Sequence, residues 1–147
     1  MYLLAAWSDF LLDNGQTADV VKLLANWESA DSLLLRLAEA EAALHLPAAK
    51  RHQDMLRDRF SAARARGDTT HRAEEARFEL VLRKAPRTAL RLAQENYAIQ
   101  REPRDARVLL EAAQAAQDPA GAQAARDWLA RSGFEDRRLL RLAEGKP

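Results

Sequence analysis

The chain contains no cysteine, only five glycines and five prolines, and few aromatic residues. The absence of cysteine excludes disulfides and thiolate metal ligands. So few glycines and prolines argue against a sandwich or barrel with many tight turns. Val and Ile, which favour strands, are scarce, whereas Ala and Leu, which favour helices, dominate the apolar residues. These features together predict an all-α fold.

Long apolar runs and a basic amino-terminal segment are also missing. No stretch approaches the ~20 apolar residues that a membrane-spanning helix needs. Residues 1–9 lack the basic segment of a secretory signal. We therefore expect a soluble protein and no membrane partner, with the cytoplasm favoured and the periplasm requiring a targeting segment upstream. Because the first predicted helix begins at once, the chain also fits the C-terminal part of a longer protein.

Motifs that carry chemistry are absent from the sequence. It has no GxGxxG, GxxxxGK[ST] or GxSxG pattern for phosphate binding or nucleophilic catalysis. His71 and Glu74 could share a helix face, but a zinc site needs at least three protein ligands. Glu74 is equally explained by the favourable charge of an acid in a first helical turn. We therefore expect no catalytic residue, no metal and no cofactor.

Charge is distributed unevenly, although the formal net charge is only +1. Residues 1–49 carry seven acids and two bases, which gives −5, and the other residues carry 15 acids and 21 bases, which gives +6. This pattern is typical either of solvated helix faces or of a dipolar scaffold whose ends prefer different partners. The basic segment 50–66 is interrupted by Asp54 and Asp58 and lacks recurring aromatic residues, so RNA binding is the less favoured function.

Turn and capping residues divide the chain into nine predicted helices. Gly15, Gly67 and Gly133 are placed to end helices, Pro47 to begin one, and Thr17 to cap one. Apolar residues within the segments follow helical spacing, and none shows the alternation of a strand. The predicted ranges are 2–13, 17–27, about 31–46, 47–66, about 68–85, 87–101, 105–118, 120–131 and 136–144.

The helices pair at a period near the ~34 residues of tetratricopeptide repeats. The first pair resembles that family in Leu4, Trp7, Ser8, Leu11, Gly15, Val20, Leu24 and Trp27. The third pair does so in Ala73, Ala76, Leu80, Ala89, Ala93 and Pro103, and the fourth in Leu109, Ala112, Ala113, Ala116, Ala125 and Leu129. The second pair matches only in Leu34, Leu37 and Ala38, and Arg77 replaces a small residue in the third. The chain is also similar to bacterial members of the family that have no assigned activity.

The resemblance implies one domain over residues 1–147, an α-solenoid of about four antiparallel helix pairs with a C-terminal capping helix. Small residues would let helices approach closely, with large ones filling the gaps between them. Trp7, Trp27 and Trp128 occupy pattern positions that predict core packing. An α-bundle and a HEAT-type solenoid are the alternative folds.

The same register implies a concave face lined by the first helix of each pair, and hence a protein-interaction scaffold. Because acids outnumber bases at the predicted positions, we expect a peptide or protein partner with basic and apolar residues. The alternative is a structural or self-association module, a homodimer packing through residues 2–27. The predicted concave residues are Tyr2, Asp9, Asp13, Leu35, Glu39, His71, Glu74, Phe78, Arg107, Leu110 and Gln114.

Overall fold

The computed structural model describes residues 1–146, which form nine α-helices, one short 3-10 helix and no strand. The predicted all-α class is therefore confirmed. Within the described range, no helix is both long and apolar enough to cross a bilayer. The helices are α1 (Tyr2–Asp13), α2 (Thr17–Leu24), α3 (Asp31–Ala43), α4 (Ala48–Ala65), α5 (Arg72–Val81), α6 (Pro86–Tyr97), α7 (Pro103–Ala115), α8 (Gln123–Ser132) and α9 (Arg137–Ala143), with the 3-10 helix at Pro119–Ala122.

Local chemistry explains where several helices begin and end. The Asn14 side chain donates to the carbonyl of Phe10 at 2.7 Å, and Gly15 then adopts a φ of +71° that a residue with a Cβ avoids. At the start of α9, the Asp136 carboxylate accepts from the amides of Arg138 and Leu139 at 2.8 and 3.0 Å. The 3-10 helix takes up the segment where we expected the eighth helix to begin, so α8 starts only at Gln123.

The helices pack into two compact units, Met1–Asp68 and Thr69–Pro147, the second described as far as Lys146. The single domain over residues 1–147 stays a prediction. The boundary follows α4, where Gly67 adopts a φ of +69°. The stacking of helix pairs into one solenoid stays a prediction.

Helix α3 is the centre of the first unit. It contacts α1, α2 and α4, and its residues 33–41 are all buried, so the helix is enclosed on every side. Leu33, Leu34 and Leu35 supply its apolar surface, while Arg36 and Glu41 are polar residues buried with it. A buried charge must be paired to be tolerated, and both of these are.

Helix α7 is the centre of the second unit and contacts α5, α6, α8, α9 and the 3-10 helix. Ala112 and Ala113 are fully buried, as the small-residue pattern predicts, and they belong to one apolar core with Ala89 and Ala93 of α6. The helix begins at a capping box in which the Asp105 carboxylate accepts from the backbone amide of Glu102 at 3.0 Å. Its other oxygen accepts from the buried Asn96 amide, also at 3.0 Å.

The two tryptophans of the first unit do not lie in the core, where the sequence predicts them. Trp7 and Trp27 are both exposed, whereas Trp128 packs against the apolar core of the second unit and contacts Phe134 with ring centroids 5.8 Å apart. The core prediction was wrong for Trp7 because α1 has apolar residues on two sides. The side that is buried is the one that does not carry Trp7.

Candidate interaction surfaces

The outer side of α1 exposes large apolar residues. Leu3, Trp7 and Phe10, spaced i, i+4 and i+7, are 81%, 53% and 51% exposed, and we call them the α1 apolar face. The rings of Trp7 and Phe10 stack with centroids 5.1 Å apart and planes 16° from parallel. Tyr2 is exposed beside them. Single exposed apolar residues are common, but an aligned set of this size marks an interaction surface.

The orientation of α1 is set by its opposite side. Ser8 and Leu11 are buried there, and the Ser8 hydroxyl donates to the carbonyl of Leu4 at 2.8 Å. Arg36 of α3 reaches across to donate to the Ala5 carbonyl at 3.1 Å and to the Asp9 carboxylate at 2.6 Å. Because these bonds hold one side of α1 against α3, the α1 apolar face points to solvent.

The surroundings of the α1 apolar face are acidic. Residues 1–35 contain five carboxylates and a single base, Lys22. Lys22 lies 3.6 Å from Asp19 on an exposed part of α2. Three of these carboxylates, Asp9, Glu28 and Asp31, pair with Arg36, Arg51 and Arg59. The remaining excess of negative charge is therefore small, and it favours basic partners.

A second surface is an open cleft of about 600 Å³ in the second unit. Leu80 of α5, Ala115 of α7 and Leu142 of α9 form its apolar walls. Arg138 and Arg141 of α9 and Glu111 and Gln114 of α7 supply polar groups. The cleft thus combines apolar walls with converging charged side chains, which is the usual composition of a ligand site.

A cluster of polar side chains also lies inside the first unit. His52 is buried, its Nδ1 is 2.6 Å from Glu41 Oε2, and its Nε2 is 3.2 Å from Glu28 Oε1. Arg51 donates to both Glu28 oxygens, at 2.8 and 3.0 Å. The Arg51 hydrogen bond, and then that of His52, lowers the pKa of Glu28 to about 2. Nε2 of His52 also lies 2.8 Å from Arg51 Nη2. Both imidazole nitrogens therefore have polar partners, and the cluster joins α4 to α3 and to the α2–α3 connection.

The predicted concave residues do not form one open surface. Leu35, Glu39, Phe78 and Leu110 are buried, which corrects their assignment as partner-binding residues. Each lies on a helix that is apolar on more than one side, so spacing alone could not show which side faces solvent.

The other predicted concave residues remain accessible or partly so. In the first unit, Tyr2 and Asp13 are exposed, while Asp9 is paired with Arg36. In the second unit, His71 is exposed, Glu74 is half-buried, and Arg107 pairs with Glu111 at 2.9 Å. Only Gln114 lines the cleft. Leu3 and Phe10 were not predicted as site residues, although the apolar residues on both sides of α1 were a usable signal.

No protein-family model, curated protein or solved structure matches the chain. The described residues contain no group of three or more His, Asp or Glu side chains placed to hold a metal ion. The exposed surfaces of each unit are therefore the features that indicate a function.

Proposed function

We propose that this chain is a non-catalytic protein-interaction scaffold that binds a partner protein through the α1 apolar face. The observation that carries the proposal is the exposure of Leu3, Trp7 and Phe10 on one side of a helix whose other side is held by Arg36. Tryptophan and other aromatic residues are enriched in the energetic centres of protein interfaces. Stacked, exposed rings offer large contact area with few rotatable bonds, so little entropy is lost on binding.

The partner that fits best is an amphipathic helix with basic flanks. A stripe spaced i, i+4 and i+7 matches the apolar stripe of a second helix. The excess of carboxylates over residues 1–35 favours lysine or arginine beside that stripe. The tetratricopeptide-like pattern supports the same general role, since repeats of that type present helix surfaces to partners.

A displayed library of random amphipathic helices, selected against the full chain, tests this proposal. We expect enrichment of peptides with apolar residues at helical spacing and flanking Lys or Arg. A Trp7→Gln, Phe10→Gln double variant should weaken the selected peptides by at least about tenfold, since centre residues of interfaces are worth more than ~1.4 kcal/mol. Leu140→Gln is the matched control, because Leu140 is an exposed apolar residue on α9 of the other unit. Equal loss with both variants, or no enrichment, would contradict the proposal.

Self-association through the same face is the second candidate function. The apolar surface of α1 is compatible with packing on a copy of itself, but a dimer would bring two acidic ends together. Sedimentation velocity over a wide concentration range at low and high salt separates the two functions. A dimer that strengthens with salt and is lost in the Trp7→Gln, Phe10→Gln variant favours self-association, and a monomer throughout favours a basic helical partner.

A further inference from the structure

The cleft of the second unit has apolar walls and a cationic rim, and the rim is built on one side of α9. Arg138 and Arg141 are three residues apart, so they share a helix face, and both line the cleft. Leu142, the next residue, is buried at the inner side of the same helix. The helix therefore presents guanidinium groups directly beside apolar surface.

Positively charged side chains outnumber negatively charged ones around the cleft. Among the described residues that line the cleft, Glu111 carries the only carboxylate, and its Oε1 already accepts from Arg107 Nε at 2.9 Å. Arg138 Nη2 lies 4.0 Å from the same oxygen. Within the described residues, the Arg141 guanidinium makes no ion pair or hydrogen bond. Two of the lining side chains, Arg138 and Arg141, are therefore cationic, against one lining carboxylate.

From this arrangement we propose that the cleft binds a small amphiphilic carboxylate, an acid group carried on an aliphatic chain. A guanidinium binds a carboxylate through two parallel N–H···O bonds, and no described residue occupies the Arg141 donors. The aliphatic chain would contact Leu80, Ala115 and Leu142 and remove their surface from water. The volume of about 600 Å³ lies in the range of small-molecule sites.

Other small ligands fit the cleft less well. A nucleotide base needs an aromatic surface for stacking, and none of the side chains that line the cleft is aromatic. Inorganic phosphate would meet the arginines but leave the apolar walls uncovered. The chemistry that uses both parts of the cleft is a single negative charge joined to an apolar chain.

Titration of the ¹⁵N-labelled full chain with octanoate, followed by amide shifts, tests the proposal. We expect saturable shifts at Gln114, Ala115 and Arg141 with a Kd of about 1 mM, as befits a ligand of this size. Octanamide, which lacks the charge, and inorganic phosphate, which lacks the chain, should each bind at least about tenfold more weakly.

Variants show whether the response belongs to the cleft. Arg141→Gln should weaken octanoate by about tenfold, whereas Arg137→Gln should not. Arg137 is an exposed arginine on the same helix that does not line the cleft, so it controls for loss of charge. The Trp7→Gln, Phe10→Gln variant should bind octanoate normally, which keeps this site distinct from the α1 apolar face. Equal effects of Arg137→Gln and Arg141→Gln, binding of octanamide as strong as octanoate, or loss of binding in the α1 variant would each overturn the proposal.

Discussion

Nδ1 of His52 lies 2.6 Å from Oε2 of Glu41, and both side chains are buried between α3 and α4. The sequence did not predict this pair, because the two residues are 11 positions apart on different helices. Removing one partner of such a buried polar pair lowers the free energy of unfolding strongly, whereas replacing both partners by apolar residues changes it little. That asymmetry yields the first prediction.

We expect His52→Leu to lower the free energy of unfolding by about 3–5 kcal/mol, since it leaves the Glu41 carboxylate buried without its partner. The His52→Leu, Glu41→Leu double variant should recover most of this loss, because both polar groups are then gone. Urea denaturation followed by circular dichroism measures both. The single variant Glu41→Leu completes the comparison: if the losses in His52→Leu and Glu41→Leu simply add in the double variant, the pair is not coupled.

The second prediction concerns how the stability of the fold changes at acidic pH. The pKa of Glu28 is lowered from 4.5 to about 2, first by the Arg51 hydrogen bond and then by His52. A carboxyl with a lowered folded-state pKa contributes stability above pH 4.5, and that contribution disappears as the pH falls toward 2. Glu28→Gln should therefore lose less stability than the parent chain between pH 4.5 and 2. Arg51→Gln removes the main cause of the shift and should flatten the profile in the same way; unchanged profiles would refute the assignment.

The third prediction tests how Arg36 holds α1. Arg36→Leu removes bonds to Asp9, Ala5 and Ser32, so we expect a loss of about 2–3 kcal/mol. Amide hydrogen exchange should accelerate in α1 more than in α4. Arg91→Leu is the control, since Arg91 makes an exposed i,i+4 pair with Glu95 at 2.7 Å and should cost no more than about 0.5 kcal/mol.

The fourth prediction uses the buried hydroxyl of Tyr97. This oxygen has no hydrogen-bond partner among the described residues, although the ring lies in the apolar core. Removing a buried group that makes no bond should cost nothing, so Tyr97→Phe should leave stability unchanged or raise it by up to ~1 kcal/mol. Tyr97→Leu removes ring volume and should lower stability by at least ~1 kcal/mol. Thermal denaturation of both variants measures the contrast, and a clear loss in Tyr97→Phe would show that the hydroxyl is bonded.

The fifth prediction compares the two sides of α1. Trp7→Gln with Phe10→Gln should change stability by no more than about 0.5 kcal/mol, because both side chains are half-exposed. Leu11→Ala, on the buried side of the same helix, should cost about 2–3 kcal/mol. Equal losses in chemical denaturation would mean that the α1 apolar face is part of the core.

Much of the helical framework follows from local sequence. The predicted bounds of the first helix, residues 2–13, match α1, since Asn14 and Gly15 end a helix by interactions within a few residues. The predicted helix boundaries are wrong where the backbone can adopt a second local conformation. Pro119–Ala122 forms a 3-10 helix in which the Asp118 carboxylate accepts from the Gly121 amide at 3.1 Å, and this delays α8.

The candidate surfaces could be predicted less well. Leu35 and Leu3 have the same side chain on similar helices, yet the first is fully buried and the second is 81% exposed. Apolar spacing shows that a helix has a side to bury, but α1 and α3 each have more than one. The choice depends on which neighbouring helix supplies a matching surface.

Composition and short-range chemistry were sufficient to make this chain helical, because helix propensity, capping and glycine punctuation act within a few residues. They also indicated small residues at Ala112 and Ala113 for close contact. Tertiary packing alone placed Arg36 against Asp9, turned Trp7 outward and brought Leu80, Gln114 and Arg141 to one cleft. Those outcomes join residues far apart in sequence, and burial and ion pairing depend on the partner that arrives and not on the spacing along one helix.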